Sequence, residues 1–260
     1  MTLVTEARHG GVALITYANP PLGTMTAAGS AETLAAMQRA ADDPAVRAIV
    51  ITGGLPGIFI RHYDVGELSS SSDALATQPV QSASASDAVG AFGRLIDLIA
   101  AAPKPVIAAI NGLCMGGGFE LSLACDIRIA GADVTAIGLP ETRVGIFPGG
   151  GGTQRLPRVI GEAKALEMIL RGRVVGGVEA GQIGMVHEVV ADPLARALEI
   201  AAEFEAKPPE GVAFAKRLTR AALDRPLAEG LSDERRSFGE VMRTPGAREG
   251  LRAARPQPAP

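Results

Sequence analysis

Residues 111–120, Asn111-Gly112-Leu113-Cys114-Met115-Gly116-Gly117-Gly118-Phe119-Glu120, decide the reading of this chain. They follow a run with the pattern of a buried strand, Lys104-Pro105-Val106-Ile107-Ala108-Ala109-Ile110, and lead into an apolar helical run, Leu121-Ser122-Leu123-Ala124. A strand that ends in a glycine cluster and restarts as a helix leaves backbone N–H groups unpaired at the helix N-terminus. Those donors, aided by the helix dipole, suit an oxygen that carries or develops negative charge. Glu120 falls about one turn into the helix. A polarising amide beside a carboxylate base is the equipment for chemistry at carbons conjugated to a carbonyl. A triple glycine alone also serves close packing, and a lone first-turn Glu also serves the helix dipole.

Outward from this stretch the chain alternates strand and helix. Residues 12–17 read as a strand stopped by Asn19-Pro20-Pro21. Ser30 reads as the N-cap of a helix with Leu34 and Met37 on one face. Residues 46–52 form a continuous apolar strand, as expected where both faces of a sheet are covered, and Gly53-Gly54 opens a loop after it. Residues 126–130 and 135–138 supply further strands, so the fold class is α/β. After Gly161 helices dominate, over 162–170, 193–206, 208–223 and 227–243, with one short strand at 185–190. Between Ser69 and Asp87 the composition turns to Ser, Ala, Thr and Gln, which predicts a mobile segment that buries little. A surface insertion and a substrate-gating flap fit it equally. The tail at 256–260 reads as disordered.

Composition narrows the function classes. A chain of 260 residues, 47% hydrophobic and 20% charged, is globular and long enough for one large core. Aromatics are 3% and Trp is absent, so that core is built from Ala, Val, Ile and Leu. A net charge of −3 gives no electrostatic case for nucleic acid. Cys114 and Cys125 match no zinc spacing and are read as buried thiols. No leader precedes the first strand and no apolar run is long enough to span a bilayer, so a cytoplasmic location and no membrane partner are expected.

A second stretch joins the first: Gly138-Leu139-Pro140-Glu141-Thr142-Arg143-Val144-Gly145, followed by Ile146-Phe147-Pro148-Gly149-Gly150-Gly151-Gly152-Thr153-Gln154-Arg155-Leu156. Together the two resemble the enoyl-CoA hydratase/isomerase (crotonase) superfamily. The likeness begins at Asn19-Pro20-Pro21, passes through residues 43–53, and ends near residues 248–253. It implies a spiral of ββα turns over residues 1–195, with a C-terminal helical region over 196–260 that forms a trimer contact and a lid. It implies that Glu120 and Glu141 are catalytic acids and that backbone amides of Gly117 and Tyr63 form an oxyanion hole. Substrate-binding residues on this basis are His62, Tyr63, Asp64, Val65, Gly66, Gly116 and Gly117.

The implied partner is an acyl-CoA thioester, with coenzyme A as part of the substrate, no separate cofactor and no metal. The implied assembly is a homotrimer or a dimer of trimers. The stretch Phe59-Ile60-Arg61-His62-Tyr63-Asp64 departs from the family pattern, because His62 replaces a Gly and Tyr63 a small residue. A backbone amide serves whatever its side chain, so the departure bears on pocket shape or adds an imidazole or a phenol. Were φ positive at position 62, His62 would be strained. The family's C-terminal basic run is reduced to Ala253-Ala254-Arg255-Pro256, which weakens the case for binding the far end of CoA. Retention of both acids favours a hydratase over an isomerase; the alternative is a crotonase-fold isomerase or a C–C bond hydrolase acting on another acyl-CoA or a non-CoA diketone.

Overall fold

The computed structural model describes residues 2–77 and 90–255. β1 (Val4–His9) and β2 (Val12–Tyr17) pair as an antiparallel hairpin, and α1 (Ala27–Asp42) follows. Three turns of the same design come next. The first holds β3 (Ala48–Gly53), β4 (Ile58–Ile60), α2 (Val65–Ala76) and α3 (Ala91–Ala101). The second holds β5 (Val106–Ile110), β6 (Leu113–Met115) and α4 (Gly117–Ala124). The third holds β7 (Ile127–Gly131), β8 (Ile137–Gly138), a 3-10 turn at Glu141–Val144, α5 (Gly152–Ile160) and α6 (Glu162–Leu170). β9 (Val174–Val175), α7 (Gly177–Gln182), β10 (Glu188–Val190) and α8 (Pro193–Ala202) close the layered part. α9 (Pro209–Ala221), α10 (Leu227–Val241) and α11 (Pro245–Ala253) end the chain.

Each turn puts its first strand in one sheet and its second strand in another. The larger sheet runs β1-β2-β3-β5-β7-β10 and the smaller β4-β6-β8-β9. This is the ββα spiral. The apolar runs are continuous because both faces of the larger sheet are covered. Ile49 and Ile51 pack with α1, α3 and the smaller sheet, whereas Ala48 and Val50 face the other way, against Ala197 and Ile200 of α8. α8 therefore belongs with the core, and the boundary drawn at 195–196 lies inside it. By contrast α9, α10 and α11 bury only Asp233 and Ser237. α9 is moored to the core through Asp126, which accepts from Lys216 Nζ at 2.8 Å and from Arg220 at 2.7 Å.

Several boundaries differ from the sequence reading. Strand β5 does not run straight into α4; β6 intervenes, paired with β4 and β8. Helix α1 begins before Ser30, because Thr26 is its N-cap and accepts from the Gly29 amide at 3.0 Å. Ser30 is buried inside the helix and donates to the Thr26 carbonyl. The strand read at 185–190 is confined to Glu188–Val190, Met185 and Val186 being buried in the turn before it. The first part of the Ser-rich segment is helical, as α2, with no buried side chain. The rest of it from residue 78, and the tail at 256–260, lie outside the described residues. Cys114 and Cys125 are free and buried, and burial pushes the Cys125 thiol up to about 12. Among the described residues no helix is long and apolar enough to cross a membrane.

Candidate active site

The three strands of the smaller sheet that belong to successive turns lie side by side in parallel, so the segments that leave their C-terminal ends are neighbours. β4 leads to His62 and Tyr63, β6 to Gly116, Gly117 and Glu120, and β8 to Glu141. The ladder continues past the strands: the Met115 amide donates to the Arg61 carbonyl at 3.1 Å and the Gly116 amide to the Gly138 carbonyl at 2.9 Å. Residues far apart in sequence are thereby brought close together.

Each glycine at the start of α4 answers a different contact. Gly116 has φ +50°, and a Cβ there would lie 3.4 Å from Glu141 Oε1 and from His62 Cβ. A Cβ at Gly117 would lie 3.2 Å from Phe92 Cζ and Tyr63 Cβ and 3.4 Å from the Tyr63 nitrogen. At Gly118 it would strike the Ile60 carbonyl oxygen at 2.0 Å. The helix thus starts hard against β4 and its following loop, with the Gly117 and Tyr63 amides adjacent. Met25 pairs with the Tyr63 position through the His62 carbonyl and the Asp64 amide, which turns the Tyr63 N–H to the opposite side. Among the described residues no group accepts a hydrogen bond from either the Tyr63 or the Gly117 amide.

Glu120 is 4% exposed. Its Oε1 accepts from the Gly150 amide at 2.7 Å and the Gly152 amide at 2.9 Å. Burial raises the Glu120 carboxyl, and the two amides and the Arg155 charge oppose that rise. The glycine run at 149–152 is thus the cradle of a buried carboxylate. That role was invisible in the sequence, since the partners lie 30 and 32 residues from Glu120. Glu141 opens the 3-10 turn after Pro140, and its buried Oε2 has no hydrogen-bond partner among the described residues. Burial first, and then the Glu120 charge, push its carboxyl up to about 7 against the opposing hydrogen bond from its own backbone amide. Burial raises both carboxyls, but two amides from a distant turn and the Arg155 charge oppose the rise at Glu120, whereas Glu141 is opposed only by its own backbone amide and its Oε2 has no donor among the described residues.

The remaining expected residues serve the loop. His62 Nδ1 donates to the Tyr63 carbonyl at 2.7 Å, and its backbone is unstrained, no described non-glycine residue having positive φ. Asp64 caps α2, its Oδ1 accepting from the Glu67 amide at 3.1 Å and its Oδ2 from Thr24 Oγ1 at 3.0 Å. Val65 is exposed and Gly66 packs on the Asp64 carboxylate. The Tyr63 ring meets Phe92 edge-on at 5.4 Å, and burial followed by the Glu67 carboxylate pushes its phenol up to about 12. Phe92 was missed by the sequence reading. Its ring edge approaches both Gly117 and Gly150, so it lines the cleft between the free amides and Glu120. A lone Phe in a helix carries no signal of such a role.

Comparison with known proteins agrees with this geometry. The chain is similar to a methylglutaconyl-CoA hydratase of Rattus norvegicus, 38% identical over 217 residues, which span 81% of this chain and 66% of that protein. The chain therefore spans just under two thirds of the length of that relative. A protein named probable enoyl-CoA hydratase from Bacillus subtilis (strain 168) is 35% identical over 261 residues, covering 97% of this chain and 95% of that one. Among solved structures, an enoyl-CoA hydratase from Thermoplasma volcanium GSS1 superposes with a TM-score of 0.86 at 30% identity, covering 98% of each chain. Residues 7–257 match the family model of enoyl-CoA hydratase/isomerase. With a buried Glu120, a half-buried Glu141 and a glycine-led helix N-terminus at the ends of successive spiral turns, the chain belongs to the enoyl-CoA hydratase/isomerase family of enzymes.

Proposed function

We propose that the protein adds water reversibly across the double bond of an α,β-unsaturated acyl-CoA thioester. The observation that carries this reading is the unequal environment of two acids in one cleft: Glu120 with Oε1 bound by two amides, Glu141 with an unpaired oxygen and a carboxyl near 7. The free Tyr63 and Gly117 amides receive the thioester oxygen and draw charge onto it, which makes the β-carbon electrophilic. Glu120 takes a proton from water as the water oxygen bonds to the β-carbon. Glu141 gives its proton to the α-carbon, and a later water exchanges the proton between the two acids. Coenzyme A is carried by the substrate.

The far end of CoA is given few basic partners by the C-terminal tail, so the acyl and pantetheine portions carry more of the binding. His62 and Tyr63 shape that passage, His62 through its bond to the backbone and Tyr63 through its contact with Phe92. The C-terminal helices form a contact between copies of the chain. Leu227, Leu231, Phe238 and Met242 lie exposed on or next to α10, an apolar stripe that a monomer leaves in water.

The test is loss of enoyl-thioester absorbance with crotonyl-CoA, a longer trans-2-enoyl-CoA and methylglutaconyl-CoA, the last taken from the name of the rat relative. Hydration that vanishes in Glu120→Ala supports the reading. No turnover of any thioester, with hydrolysis of a diketone instead, would replace it with the C–C hydrolase alternative.

A further inference from the structure

Burying the Glu120 carboxyl, in a residue only 4% exposed, requires donors that stay in place. For Glu120 those donors are the amides of Gly150 and Gly152, in a run of four glycines, the chain type that loses most entropy on being fixed. One side chain reaches back over this turn. Arg155, in the first turn of α5, donates from Nη1 to the Gly150 carbonyl at 3.0 Å, and its own amide donates to the Gly151 carbonyl at 2.8 Å. Its guanidinium lies so close over Gly151, which has φ +102°, that a Cβ there would fall 2.0 Å from Nη1.

We infer that Arg155 is a positioning residue for the reaction proposed above: it clamps the glycine turn so that the Gly150 and Gly152 amides stay on Glu120. Arg155 touches no reacting atom; it acts through Gly150 and through space. The charged groups around the pair are few. Glu120 faces Arg155 and Glu141; Arg155 feels Asp97 of α3, Arg220 of α9, Arg158 of its own helix, and Glu120. Asp97 shares the guanidinium charge, whereas Arg220 and Arg158 repel it, and half-burial keeps its field from being fully screened.

The test uses R155M, which removes clamp and charge, and R155K, which keeps the charge without the planar fork. Glu-labelled protein reports the Glu120 titration by carboxyl 13C NMR, with the resonance assigned by E120Q. In R155M the Glu120 midpoint moves up by roughly one pH unit. Turnover of crotonyl-CoA falls roughly 10- to 100-fold in kcat, with KM within about threefold, because a displaced base costs chemistry rather than binding. R155K keeps the midpoint and recovers part of kcat. An unchanged midpoint in R155M, or a loss expressed in KM alone, overturns the inference. If R155M fails to fold, wild-type kcat in R155K overturns it, since the fork is then dispensable. Should the wild-type protein hydrate no thioester, the proposed reaction fails, and the titration still decides whether Arg155 governs Glu120.

Discussion

Replacing Glu141 by Gln should destroy activity and stabilise the protein, the second effect only as the pH rises. The folded protein holds the Glu141 carboxyl at about 7, against 4.5 for the unperturbed group. Between those two values the unfolded chain has released its proton and the folded chain has not, so the native state binds more protons and stability falls with rising pH. The neutral carboxyl is tolerated fully below the unfolded value; the cost accrues upward from there and is complete above the folded one. A shift of this size is worth about 3 kcal/mol at most, and the residual solvent contact of a half-buried group trims it to about 2 kcal/mol. Gln mimics the neutral acid and never ionises, so E141Q escapes that cost. Its melting temperature relative to wild type should rise by roughly 4–8 °C between about pH 5 and about pH 8. Thermal melts of both proteins across that range, without substrate, read this directly. A difference that stays flat with pH would refute the claim that burial holds Glu141 neutral, and with it Glu141 as the proton donor.

The same assignment predicts that wild-type kcat/KM for crotonyl-CoA falls about tenfold per pH unit above about pH 7, as Glu141 ionises, a limb that a rate profile either shows or lacks. Gly150→Ala puts a methyl 2.8 Å from Glu120 Oε2 and from Phe92 Cε1, so kcat should drop roughly 100-fold while circular dichroism stays that of the folded protein. Phe92→Ala should raise the ratio of long to short enoyl-CoA turnover by opening the wall shared with Tyr63, and an unchanged ratio would place the acyl chain elsewhere. Asp126→Ala leaves Lys216 buried without its carboxylate and frees α9, which urea unfolding should register as a loss of about 3 kcal/mol.

What the sequence made legible and what it hid divide along a physical line. Strands buried on both faces announce themselves as apolar runs, so β3, β5 and β7 could be placed from composition alone. β6 could not: three residues, Leu113–Met115, have no periodicity, and only β4 and β8 on either side hold them extended. Thr26 was passed over as a cap because Ala27, Ala28 and Gly29 after it carry no apolar rhythm to mark a helix start. The chemistry follows the same rule. Glu120 was readable from the glycine-led helix start before it, and Glu141 only because the stretch around it resembles the family's. Their states of ionisation were not, because these depend on groups brought together only by the spiral. Glu120 and Glu141 are the same amino acid, each near the start of a short helical segment, and nothing local distinguishes them. What separates them is that Glu120 reaches a turn 30 residues onward whose amides point at it, while among the described residues nothing donates to Glu141 Oε2. The spiral pitch thus does more than gather a site. By stacking the ends of β4, β6 and β8, it sets beside each other one acid with two amide donors from a distant turn and another whose Oε2 has none among the described residues, the asymmetry on which the proposed transfer of two protons in opposite directions rests.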